Sequence, residues 1–154
     1  MAHSGDKYLY STGRSYVDLA ADETGLWAIH AATAAAAADD DDQDRVLVSR
    51  LDIVTMTVTS TWSIAVRHAD YGNGFVVCGV LYLVGDVTSP HSTPIDFAYD
   101  LYERRRVDNS HGSDGSPPTF SSPYQLTTAL TYNPRDRRLY AWDNGNQLTY
   151  PLLV

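Results

Sequence analysis

Cysteine occurs once in the 154 residues, at Cys78, so the chain cannot close a disulfide on its own. Two readings stay open for it: a small buried hydrophobe in a strand, or a bridge to a partner that this chain lacks. No run approaches the roughly 20 apolar residues that span a bilayer. The opening MAHSGDKYLY has no apolar stretch of the kind a signal peptide carries. Cations are scarce too: 11 Lys and Arg against 19 Asp and Glu leave a net charge of −8. That balance excludes nucleic acid as a partner, because phosphate binding needs clustered Lys and Arg. The one basic run, Arg104-Arg105-Arg106, is followed by a polar loop and reads as a solvated strand end. His3, His30, His68, His91 and His111 are dispersed, which argues against a histidine-based metal site. Neither a serine elbow nor a phosphate loop is present, and Asn109-Ser110-His111 fails the glycosylation pattern.

What the chain has is aromatic and β-prone. Eleven Tyr and three Trp, 44% hydrophobic content and little helical periodicity point to one all-β domain with a real core. The organising stretch is TTALTYNPRDRRLYAWDN, Thr127 to Asn144. It reads as a strand (Leu126 to Thr131), a turn (Asn133-Pro134-Arg135-Asp136) and a second strand (Leu139 to Trp142). Pro134 presets the first corner of the turn, and Asn133 and Asp136 can bond their own backbone. Looser copies occur at Val17 to Ala32 and Gly74 to Asp86, and in all three units Leu followed by an aromatic comes after the turn: Leu26-Trp27, Leu81-Tyr82, Leu139-Tyr140. The spacing of about 55 to 58 residues lies in the range of propellers and solenoids. A further strand region follows each hairpin: Arg45 to Ser63, Ile95 to Val107, Gln147 to Leu152. Two hairpin strands with one or two more make a propeller blade, so the chain is expected to hold about three blades.

Between these units, Lys7 to Tyr10 reads as a short aromatic strand and Asp22-Glu23-Thr24-Gly25 as a hairpin turn. Residues 33–44 contain Ala34 to Ala38 and then Asp39 to Asp42. Five alanines are too few to nucleate a helix, and four adjacent aspartates repel. The run lacks the alternate acidic ligands and glycine of a calcium loop, so it is expected to be a flexible hairpin connection. Residues 109–123 are rich in Gly, Ser and Pro and read as a second flexible surface connection within one domain spanning 1–154.

The residues that carry the repeat also carry a family likeness. VDLAADETGLWAIHAA, GNGFVVCGVLYLVGD, IDFAYDLY and YNPRDRRLYAWDNGNQLTYPLLV resemble the C-terminal part of an olfactomedin domain, with LTYPLLV and KYLYSTGRSYVDLA leaning toward the gliomedin-like branch. The resemblance covers nearly the whole chain and implies a five-bladed β-propeller of which about three blades are present, an incomplete ring. It implies an extracellular or cell-surface module that binds other proteins in adhesion or signalling, without catalysis. It also implies that Cys78 pairs with a cysteine outside this chain, and that unpaired strand edges favour self-association.

Many olfactomedin domains hold calcium in the central channel. The matching positions are Asp18, Asn73, the carbonyls of Gly74 and Leu130, and Thr131. Thr131 stands where the family pattern has a carboxylate, which leaves one formal charge and a weakened site, since ligand charge tunes calcium affinity. Two other functions compete. One is a propeller glycosidase using Asp18, Asp96 and Asp100 as acid and base. The other is a truncated fragment without a function of its own. Tyr71, Phe120 and Tyr124 are the candidate exposed contacts of an interaction surface.

Overall fold

Acidic residues are gathered at the places where the chain reverses. Asp22 accepts the backbone N–H of Thr24 at 2.9 Å and of Gly25 at 3.1 Å. Asp52 does the same for Val54 and Thr55, Asp86 for Thr88 and Ser89, and Asp100 for Tyr102 and Glu103. An aspartate that bonds the backbone two and three residues on closes a turn without help from the next strand. Much of the surplus negative charge is therefore structural.

The computed structural model describes residues 8–32, 44–95, 97–110 and 114–152. The first sheet contains β1 (Val17–Asp22), β2 (Gly25–Ala31), β3 (Arg45–Asp52) and β4 (Thr57–Arg67), paired in that order. The second contains β5 (Asn73–Val77), β6 (Val80–Val84), β8 (Phe97–Asp100) and β9 (Arg105–Arg106), while β7 (Thr93–Pro94) pairs with β10 (Thr119–Phe120). The third contains β11 (Thr127–Asn133), β12 (Arg138–Asp143) and β13 (Asn146–Pro151). Every pairing is antiparallel and, within the three larger sheets, follows chain order, the meander of a propeller blade. The innermost strands β1, β5 and β11 touch one another. The chain is thus all-β, with three blades that do not close a ring among the described residues.

The second sheet lies between the other two, which explains its composition. One core joins it to the first sheet through Trp27, Ile29, Val48, Trp62, Val76, Leu81 and Leu83. A second core joins it to the third sheet through Phe75, Val77, Val84, Leu130, Tyr132 and Leu139. With both faces covered, β5 is buried at all five positions, so its sequence NGFVV carries no alternation. The outer sheets do alternate, as in β12, where Leu139, Ala141 and Asp143 point inward between more exposed neighbours.

Several expectations change in detail. Tyr8 to Tyr10 is not a strand; Leu9 and Tyr10 instead bury their side chains in the first core, and Lys7 lies outside the described residues. The Leu-aromatic repeat does not keep one orientation: Trp27 faces the core, whereas in the third hairpin Leu139 does and Tyr140 is half-buried. The segment 33–43 lies outside the described residues, as do His111 to Ser113. The remainder of 109–123 is partly pinned, since Asn109 and Ser122 are buried and Phe120 sits in the second core.

Candidate functional site

The family positions lie on the three inner strands, which touch one another. Asp18 lies on β1, Asn73 and Gly74 open β5, and Leu130 and Thr131 lie in β11. Leu130 is buried in the second core, so its carbonyl alone is left for an ion. Thr131 is exposed, opposite Tyr140 in the ladder. The Asn73 side-chain oxygen accepts the N–H of Gly74 at 2.9 Å. Gly74 is required by close approach: a Cβ there would lie 2.9 Å from Leu83 Cδ2 and 3.1 Å from the Tyr10 hydroxyl.

Tyr10 is the residue that sequence reasoning missed. Its hydroxyl donates to Asp18 Oδ2 at 2.9 Å. Burial raises the Asp18 carboxyl to about 6, against the lowering effect of that hydrogen bond. Burial, reinforced by the Asp18 charge, pushes the Tyr10 hydroxyl well above its ordinary range. Only the aromatic KYLY run hinted at it, because a residue eight positions from its partner leaves no periodic signal. A carboxylate held in a poorly solvated place by one phenol suits a hard cation, which would favour its charged form. The donor set fits calcium in kind, with one carboxylate, one amide oxygen, two carbonyls and a hydroxyl, and is poor in charge.

At the turns of the inner hairpins a second cluster forms. Cys78 does not lie within a strand, and it is exposed. It occupies the two-residue β5–β6 turn with φ +49, beside Gly79 at φ +78, the double positive φ of a type I′ hairpin. The buried-hydrophobe reading of Cys78 is therefore overturned by turn geometry. Glu23, at the tip of the β1–β2 turn, accepts the Cys78 N–H at 3.2 Å, its thiol at 3.4 Å and the Tyr132 hydroxyl at 2.5 Å. Burial would raise the Glu23 carboxyl, but the bonds from Tyr132 and Cys78 hold it below its ordinary value. Burial and Glu23 together push the Cys78 thiol up. Next to it, the buried Asp22 accepts Trp27 Nε1 at 2.9 Å and Gly79 N at 2.6 Å. Asp22 and Glu23 thus tie all three inner hairpins together.

The remaining candidates separate. Asp100 closes the β8–β9 turn, and Asp96 lies outside the described residues. Phe120 is buried, Tyr71 is half-buried against Phe97, and Tyr124 is exposed. The arginine run behaves as a solvated strand end, with Arg104 over Trp62 and Arg106 over Phe97. No helix among the described residues is long and apolar enough to cross a membrane.

Three four- and three-stranded meanders fanned around touching inner strands define a partial β-propeller. The sequence profile of the olfactomedin-like domain matches residues 1–154, and the chain belongs to that family. It is 34% identical over 140 residues to rat myocilin, covering 91% of this chain and 25% of that protein. It is 32% identical over 145 residues to human adhesion G protein-coupled receptor L1, covering 91% of this chain and 9% of the receptor. The chain spans about a quarter of the length of the myocilins it matches.

Proposed function

We propose that the chain is a non-catalytic protein-interaction module working outside the cell or at its surface, in adhesion or signalling. Support comes chiefly from the family match over the whole chain, with an adhesion receptor among its relatives. The commitment of Asp22, Asp52, Asp86, Asp100 and Asp143 to turns and loops speaks for binding over acid-base chemistry. Partners are then extracellular adhesion proteins, engaged by loops such as that bearing Tyr124. Immobilised chain is titrated with purified adhesion-receptor ectodomains by biolayer interferometry. Saturable binding weakened by Tyr124→Ala is expected, and no saturable binding at about 10 μM, a weak-complex range, overturns the reading.

Asp18, Asn73, Gly74, Leu130 and Thr131 are proposed to hold calcium weakly, near the roughly 10⁻⁴ to 10⁻³ M range of extracellular modules. Bound calcium would cross-link the inner strands of all three blades. A thermal melt with excess calcium and then with chelator checks this, the Thr131→Asp variant being expected to enlarge the upward shift. An unchanged melting temperature for both proteins rejects the site. The exposed Cys78 is proposed to pair with a cysteine outside this chain, and thiol titration of the protein purified without reductant reads its state.

A further inference from the structure

Three arginines stand along the seam between the first two sheets, each over an aromatic ring. Arg50 lies over Trp27 and Tyr102, its Cζ 5.5 and 5.9 Å from their centroids. Arg104, in the β8–β9 turn, lies over Trp62 at 5.6 Å, and Arg106 of β9 over Phe97 at 5.0 Å. The rings pack together, Trp27 5.4 Å from Trp62 on its own sheet and 6.2 Å from Tyr102 across the seam. Among the described residues neither Arg50 nor Arg104 is paired with a carboxylate; Arg50 donates to Thr24 O and the Tyr102 hydroxyl. The register sets Arg106 on the face of Tyr99, toward the first sheet, and Asp100 and Arg105 on the other. Nearby acids are already engaged: Glu103 by Arg105, and Asp52 and Asp100 by N–H groups of their own turns. The ring under Arg104 adds a further unmet donor, since Trp62 Nε1 is buried without an acceptor among the described residues. Tyr102 is 51% exposed, and just past Arg50 the β3–β4 turn presents Ile53, Val54 and Met56, exposed by 69%, 87% and 73%.

We propose that this seam receives an acidic segment of a protein partner, an Asp or Glu carboxylate seated on Arg104 and flanked by apolar residues that meet Tyr102 and the β3–β4 turn. The inference rests on the reading of the chain as a protein-interaction module and adds to it a place and a chemistry. A guanidinium held flat on an indole is already oriented, so its fork can take a carboxylate through two parallel N–H···O bonds with little further loss of side-chain freedom. Clusters of Trp, Tyr and Arg are also the groups that carry most of the binding energy in protein interfaces. Charge and surface chemistry choose the occupant. A polysulfated glycan or an anionic bilayer brings many charges at once, and a chain of net −8 repels them beyond the seam. One acidic side chain brings a single charge to the place where the cations gather. Ile53, Val54 and Met56 find nothing to cover them in a glycan, whereas apolar side chains beside a carboxylate in a peptide do so.

Selection of a random peptide display library on the immobilised whole chain tests this, with calorimetric titration of the resynthesised peptides. Enriched sequences are expected to carry Asp or Glu beside apolar residues. Their affinity is expected to fall at least about tenfold in Arg104→Gln and in about 1 M salt, where charge pairs are screened. It is expected to hold in Arg135→Gln, which removes an exposed arginine of the β11–β12 turn on the third sheet. Arg104 is exposed, and circular dichroism verifies that its variant folds. A selection without acidic sequences, or acidic peptides that bind Arg104→Gln unchanged, overturns the proposal. Heparin or phosphatidylserine vesicles that bind more tightly than the peptides and are released by Arg104→Gln overturn it in favour of a polyanion or a lipid surface. Adhesion-receptor ectodomains that bind Arg104→Gln as well as the native chain overturn the seam and leave the interaction module standing, so the two readings fail separately.

Discussion

At the scale of single residues, the chain uses aspartate in two opposite ways. Asp22 is buried yet accepts five hydrogen bonds, from Thr24 N, Thr24 Oγ1, Gly25 N, Trp27 Nε1 and Gly79 N. Asp22→Ala would leave the Trp27 and Gly79 donors buried without partners, and a loss of about 3 kcal/mol or more is expected in urea unfolding. Asp18 is the reverse case, a carboxylate in a poorly solvated place with a folded pKa of about 6. Because the folded form holds its proton more tightly, the unfolded chain ionises first as pH rises. The contribution of Asp18 is therefore most favourable below about pH 4, declines between about 4 and 6, and is a standing penalty above that. Asp18→Asn keeps an acceptor for Tyr10 and removes the charge. In metal-free buffer its melting temperature is expected to exceed that of the native chain at pH 7, with the difference vanishing near pH 4. Equal difference at both values would show that burial does not control this group.

At the scale of elements, short turns decide which strands meet. The β5–β6 turn uses Gly79 at φ +78 directly beneath the ring of Tyr102, where an added Cβ would come within 2.4 Å of Cε2. Gly79→Ala combines a disfavoured backbone angle with a clash, so a loss of about 2 kcal/mol is expected in chemical denaturation, more than an ordinary Gly→Ala change. In the third sheet, the fully buried Asp143 of β12 accepts Ser122 Oγ, Tyr124 N and Leu126 N. Those bonds hold the approach to β11 against the sheet. Asp143→Ala is expected to open that approach, and limited proteolysis should then cut near Tyr124 at protease levels that leave the native chain intact.

At the scale of the whole molecule, stability is graded from the middle outward. The second sheet is buried on both faces by two separate cores. Its neighbours are covered on one face each. Hydrogen exchange is expected to be slowest in Val76, Val77, Leu81 and Leu83 and faster in β4 and β13, whose outer edges and faces meet solvent. Uniform protection across the three sheets would mean that they open as a single unit. The clamp of Arg50, which donates to Thr24 O at 2.7 Å and to the Tyr102 hydroxyl at 2.8 Å while lying over Trp27, couples the first sheet to the second.

Strand positions, the three hairpins and their grouping into blades were legible in the sequence, because period-2 patterning and turn residues act over a few positions and leave their mark there. The run LTYNPRDRRLYAWDN announced the β11–β12 hairpin, whereas the lack of alternation in NGFVV took on its meaning only once both faces of β5 were seen to be covered. Tertiary structure alone decided the rest. That Tyr10 meets Asp18, that Glu23 meets Cys78 across 55 residues and Tyr132 across 109, and that Cys78 stands in an exposed turn depend on how whole sheets are stacked. The same holds for the outer face of the first sheet: its residues are scattered over four strands and become a surface only when the register aligns them. Local sequence encodes which face a side chain takes within its strand, whereas what that face meets is set by packing between distant segments.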